Sequence, residues 1–174
     1  MKTRIRNALF RCIGRATKSA AILSAGLLLA LPASAEEIAQ PSKGQSIYLP
    51  VYSHLWHGNL NAKGLPEILQ LSALISIRNT DPAGPIRVIS ARYYDTNGKL
   101  LREFVNSPKT LAPLGTLELF VERREAEGGS GANFVIRWQS DALVSQPVAE
   151  AIHADLNSVR TVSFVTVGRP VRSE

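Results

Sequence analysis

Gly128-Gly129-Ser130-Gly131-Ala132-Asn133-Phe134-Val135-Ile136-Arg137-Trp138 is the stretch whose pattern decides the fold class. Three glycines in four positions make a bend where side chains are not tolerated. A strict alternation follows, in which Phe134, Ile136 and Trp138 share one face of a pleat. The glycines invite a phosphate-cradle reading. That cradle needs a lysine and a following helix, and this stretch has neither. A strand-to-strand connection that sets the register of a core strand is what remains.

The same period of two recurs along the chain. Ser46 to Tyr52 reads as a strand, with Pro50 marking an edge position or a bulge. Ile68 to Arg78 places Leu71, Ala73, Ile75 and Ile77 on one face. The turn Asn79-Thr80-Asp81-Pro82-Ala83-Gly84-Pro85 ends it. In Ile86 to Tyr94 the apolar set changes face after Val88, which predicts a bulge near Ser90. Asn97-Gly98 predicts a type I′ hairpin joining Arg87–Asp95 to Lys99–Val105. Pro108 to Pro113 reads as a bend or short strand. Thr116 to Glu122, Val148 to Ala154 and Thr161 to Val167 complete the set. Seven to nine short strands with no helical period after Leu31 predict an all-β fold. The expected form is a single antiparallel β-sandwich with an Ig-like Greek key, the alternative being a small β-barrel.

The first 35 residues stand apart. Lys2, Arg4, Arg6, Arg11, Arg15 and Lys18 precede an apolar run from Ala20 to Leu31, then Pro32 and the small-residue site Ala33-Ser34-Ala35. That is the pattern of a cleaved Sec-type signal peptide over residues 1–35. Residues 36–45 read as a flexible leader, 46–170 as the β-sandwich domain and 171–174 as a frayed tail. The predicted localisation is periplasmic or secreted, with no transmembrane segment in the mature chain.

Removing the signal also removes the charge excess. The chain has 20 basic and 14 acidic residues, for a net of +6. Six basic residues and no acid precede Glu36, so 14 of each remain. No basic face survives, which argues against a nucleic-acid partner. The only cysteine, Cys12, leaves with the signal, so the mature chain has no disulfide and no thiolate.

Chemistry-bearing residues are few. Tyr52, His54, Trp56 and His57 form the one constellation that stands out, on a segment read as a loop. His54 and His57 share a metal only if that loop turns, and two ligands do not complete a zinc site. The aromatic rings there suit stacking on a sugar, or else packing on the sandwich. No Gly-x-Ser-x-Gly elbow occurs, and the acidic pairs Glu118 with Glu122 and Asp95 with Glu103 fall on solvent faces. No catalytic residue, cofactor or metal ligand is assigned. The expectation is a non-catalytic, exported protein-interaction or envelope-associated module, whose partner is an envelope protein. The alternative is a carbohydrate or small-ligand binding domain using Tyr52, His54, Trp56 and His57. A metal-dependent or other enzyme is the reserve.

Four stretches carry a family resemblance. They are Ile47-Tyr48-Leu49-Pro50-Val51-Tyr52-Ser53-His54, Leu74-Ile75-Ser76-Ile77-Arg78-Asn79-Thr80-Asp81-Pro82, Tyr93-Tyr94-Asp95 with its Asn-Gly turn, and Gly128 to Phe134. In that order they resemble a family of secreted bacterial proteins, domain of unknown function 3124. The resemblance implies one exported domain and supplies no activity, cofactor or catalytic residue.

Overall fold

The computed structural model describes residues 40–157 and 161–172. The signal-peptide reading, Cys12 and residues 36–39 of the leader lie outside them. The described residues form twelve strands. They are β1 (Ser42–Pro50), β2 (His54–His57), β3 (Glu67–Gln70), β4 (Ser72–Arg78), β5 (Ile86–Tyr94) and β6 (Leu100–Glu103), then β7 (Lys109–Leu111), β8 (Thr116–Val121), β9 (Asn133–Val144), β10 (Val148–Leu156), β11 (Thr161–Val167) and β12 (Arg169–Val171). One sheet runs β12-β1-β9-β5-β6, with β7 also paired to β5. A second runs β11-β10-β4-β8, and β2 pairs with β3 alone. Every pairing is antiparallel. The fold is thus all-β, built of antiparallel sheets packed together. The barrel alternative is set aside, because the sheets keep separate edges.

The core follows from the alternation. Ile47 and Leu49 of β1, Ala73, Ile75 and Ile77 of β4, and Phe134, Ile136 and Trp138 of β9 all point between the two larger sheets and are buried. Tyr93 stacks on Phe134 at 5.0 Å between ring centroids, and Phe104 closes on Phe134 at 5.2 Å. The bulge is where the face change placed it. Val88 opposes Trp138, while Ser90 opposes Arg137, so Ile89 is the extra residue. Ile86 and Val88 are buried before it, Ala91 and Tyr93 after it. Pro50 lies beyond the reach of β12, which covers only Ser46 to Tyr48, so no ladder donor is missed on that side.

Residues 42–45, read as leader, belong to β1, because β9 extends far enough to pair with them across an irregularity between Ser42 and Gly44. Val171, read as tail, pairs with Ser46. Ile68 to Arg78 is two strands rather than one. The break is at Leu71, whose N–H donates to the Ser53 carbonyl at 2.9 Å. The Asn97-Gly98 turn is not type I′. That turn needs positive φ at both residues, and only Gly98 has it, at 80°. The Asp95 carboxylate accepts the N–H groups of Asn97 and Lys99 at 2.8 Å each, and Gly98 N–H reaches the Asp95 carbonyl at 3.0 Å. The Asp95 side chain thereby favours a bulged turn over the primed one.

The glycine bend joins three segments at one end of the sheets. The Gly128 carbonyl accepts from Thr96 N–H and from Thr96 Oγ1, at 2.9 and 3.0 Å. The Gly129 carbonyl accepts from Ser53 N–H and Oγ, at 3.1 and 3.0 Å. Gly131 N–H donates to Thr96 Oγ1 at 3.0 Å. Gly129 alone of the three has positive φ, at 79°. At Gly128 the constraint is space, since a Cβ there would overlap the Tyr93 hydroxyl and lie 2.8 Å from Tyr93 Cζ. Gly128→Ala is therefore expected to destabilise the fold by about 1–3 kcal/mol, the usual range for overpacking. Urea unfolding checks this. Gly64→Ala is the contrast, because its Cβ would meet nothing within 4 Å and only its positive φ of 75° opposes the change. Equal losses in the two variants would show that Tyr93 does not constrain Gly128.

Candidate functional site

The segment read as a loop is strand β2, and this decides the histidine geometry. His54, Leu55, Trp56 and His57 pair with Gln70, Leu69, Ile68 and Glu67. In an extended strand, residues three apart face opposite ways. His54 and Trp56 share one side, with rings stacked at 6.4 Å and Trp56 Nε1–H donating to His54 Nε2 at 3.1 Å. His57 turns to the other side, where its Nδ1 is 3.8 Å from Glu67 Oε2. The pair is thus not aimed at one ion. Trp56 keeps 65% of its surface exposed. It forms an aromatic platform held by its hydrogen bond to His54.

Tyr52 belongs elsewhere. Its ring meets His153 edge-on at 5.7 Å and Phe164 at 5.8 Å. His153, on β10, is fully buried and lies flat on Phe164 of β11 at 4.6 Å. Its Nε2 accepts the Tyr52 N–H at 3.1 Å, so that nitrogen carries no proton. Burial pushes His153 down to about 4, against a smaller upward pull from the Phe164 and Ala151 backbone. One alternate position along, buried Asp155 accepts from Asn157 Nδ2 at 3.1 Å and meets the exposed Arg123 guanidinium at 3.2 Å. The four residues singled out in the sequence therefore split. His54 and Trp56 form the platform, His57 faces away from it, and Tyr52 helps enclose His153.

A different surface lies on the outside of the β11-β10-β4-β8 sheet. Phe120 opposes Leu74, Leu74 opposes Ile152, and Ile152 opposes Val165. These four make one apolar row across all four strands. Phe120 is 54% and Val165 53% exposed, and Val148, Leu156 and Val167 are further exposed apolar residues on the same two strands as Ile152 and Val165. Rows of this kind facing solvent mark interaction surfaces more often than single exposed residues do.

Among the described residues, the strand at the end of that row is a sheet edge. β11 reads Thr-Val-Ser-Phe-Val-Thr-Val and, among the described strands, has β10 as its one neighbour in the sheet order. The other edges of the two larger sheets carry charge or proline: Glu118 in β8, Arg102 and Glu103 in β6, and Arg169 with Pro170 in β12. β11 has neither, and such an edge is a template for a further strand. Its free groups can be assigned. Gly168 N–H donates to the Ala149 carbonyl at 2.8 Å, and hydrogen-bonded pairs alternate along an antiparallel ladder. Phe164 and Thr166 hence bond to β10, while Ser163, Val165 and Val167 turn their N–H and C=O groups outward.

A cavity of about 530 Å³ opens between β6, β8 and the loop after β8. Leu101, Phe104 and Phe120 give it apolar walls, and Arg102, Glu122 and Glu125 line its rim. None of Tyr52, His54, Trp56 or His57 borders it. Among the described residues there is no group of three or more His, Cys, Asp or Glu side chains placed to hold a metal ion.

Residues 44–171 match the family model described as protein of unknown function (DUF3124). The chain belongs to the DUF3124 family. No curated protein matches this DUF3124 chain. A solved structure described as Thermotoga maritima 1070 is similar to it at 12% identity, covering 75% of this chain and 97% of its own, with a TM-score of 0.40. A likeness of that size carries no statement about fold or function.

The outer row of the DUF3124 chain was partly visible in its sequence. Leu74 and Phe120 each stand among polar neighbours on the solvent parity of their strands, and β11 has apolar residues on both parities, Val162 and Phe164 on one and Val165 and Val167 on the other. Apolar residues on the exposed parity of a strand are what an interaction surface leaves in the sequence. His153 gave no such signal, because its partners Tyr52 and Phe164 come from separate segments.

Proposed function

We propose that this protein is an exported, non-catalytic interaction module that docks an extended segment of a partner protein along β11. One observation carries the reading. β11 is an edge strand free of charge and proline, and its outward groups are continuous with the apolar row Phe120-Leu74-Ile152-Val165. Strand addition supplies main-chain hydrogen bonds, and alternate side chains of the added strand extend the row. The signal pattern over residues 1–35 supports a periplasmic or secreted location, and hence an envelope protein as partner. We also infer an Ig-like Greek-key path. Support comes from β4 and β8 being neighbours in one sheet while β5 and β9 are neighbours in the other.

A photo-reactive side chain at Val167 tests the docking edge. In an envelope fraction it is expected to give discrete protein adducts, lost when Ser163→Pro removes an outward N–H. The same group at Phe120, at the far end of the row, should give fewer. Adducts unaffected by Ser163→Pro would overturn the reading.

A second reading rests on Trp56. Its exposed ring, held by His54, is a flat face of the kind that stacks on a sugar. Trp138, the other tryptophan, is buried, so a fluorescence titration with envelope oligosaccharides reports on Trp56. An unchanged spectrum at millimolar sugar would exclude this reading.

A further inference from the structure

We propose that the strand docking on β11 is β11 of a second copy of this chain, paired antiparallel about a two-fold axis at Val165. This rests on β11 being the docking edge. Three features of the strand fit a second copy.

The first is parity. Ser163, Val165 and Val167 carry the outward N–H and C=O groups, and their side chains share the outer face. An axis at Val165 sets Val165 against the partner's Val165 and Ser163 against the partner's Val167. Each of these is a hydrogen-bonded pair with matched faces, as an isologous contact requires.

The second is the row. Phe120, Leu74, Ile152 and Val165 are in direct cross-strand register. With the axis at Val165 the row runs on through the partner's Val165 to the partner's Phe120, across eight strands. An axis at Phe164 would oppose Val165 with the partner's Ser163 and interrupt it. The third is charge. β11 has no ionisable side chain, so two copies bring no like charges together.

An edge contact of this length is at the small end of specific interfaces, so a dissociation constant of roughly 1–100 µM is expected. The test uses the chain as its own cell processes it, carrying Cys12→Ser so that any introduced cysteine is the only one. Under mild oxidation Val165→Cys should form a disulfide-linked dimer. Ser163→Cys should not, because two copies of position 163 would lie about four residues apart along the strands, roughly 14 Å, beyond the reach of a disulfide. By sedimentation equilibrium the parent chain should dimerise with rising concentration, and Val165→Lys should shift the dissociation constant upward at least about tenfold. Val165 is half exposed, so that variant should keep its melting temperature. Dimerisation with Val165→Cys and Ser163→Cys linking equally fast would overturn the register. A parent chain that stays monomeric at about 1 mM would overturn self-pairing. In that case Val167 adducts to other envelope proteins would still uphold β11 as a docking edge, and their absence would remove both.

Discussion

Trp138→Ala is expected to destabilise the fold by about 3–5 kcal/mol, the range for truncating a large buried aromatic. Trp138 is the largest of the fully buried side chains. It sits on β9, opposed by Gln45 of β1 on one side and Val88 of β5 on the other. Backbone on both flanks is tied into ladders, so the walls of the resulting cavity cannot collapse far. For a domain of this size the loss corresponds to a fall in melting temperature of roughly 10 °C or more. Trp138→Phe separates packing from polarity. The indole N–H is buried and has no hydrogen-bond partner among the described residues, so replacing it with Phe removes an unsatisfied donor along with some volume. Its cost should be well below that of Trp138→Ala. Urea unfolding of both variants checks this. A loss under about 1 kcal/mol for Trp138→Ala would show that β9 is not the centre of the core.

The second large effect is in pH. His153 titrates at about 4 in the folded chain, against 6.5 for the free side chain, chiefly because burial disfavours the imidazolium. Above pH 6.5 both states hold it neutral, and its contribution is constant. As pH falls below 6.5 the unfolded chain takes up a proton that the folded chain refuses, so stability declines. The decline continues to about pH 4, where the folded state also protonates. Over that window the loss from this one group is on the order of 3 kcal/mol. Denaturant unfolding at pH 7.5, 5.5 and 4.5 should show it. In His153→Gln, whose amide oxygen can still accept the Tyr52 N–H, the slope in this window should flatten, even if the variant is weaker at pH 7.5. Parallel slopes in the two proteins would mean that the histidine is not held neutral by the fold. Tyr52 and Phe164 pack on the imidazole, and Phe164 lies on β11. Acid loosening is thus expected to begin beside β11, the proposed docking edge.

Local alternation carried the strands. Phe134, Ile136 and Trp138 could be placed in the core because a pleat turns successive side chains to opposite faces. The same rule exposed the bulge at Ile89 through a change of parity. Such patterns are properties of neighbouring residues, and they hold before any strand finds a partner. The Asn97-Gly98 turn marks the limit of that reading. The dipeptide suits more than one tight turn, and the Asp95 carboxylate selected among them through bonds to Asn97 and Lys99. His54 to His57 passed for a loop because a four-residue strand has too few positions to show a period, and β3 supplied the pairing.

Leu74 and Phe120 stand out among polar neighbours, but local pattern does not join them into one surface. Period two made Thr161 to Val167 a strand but gave it no neighbours. Its standing at an edge follows from the sheet order β11-β10-β4-β8, in which β4 and β10 meet across some seventy residues, Arg78 to Val148. The row from Phe120 to Val165 likewise exists only once four strands are hydrogen-bonded in register. The chain's own alternation therefore settled which side chains enter the core. Long-range hydrogen bonding between strands settled which apolar residues were left facing water together, because cross-strand register is a relation between distant segments that no single segment encodes.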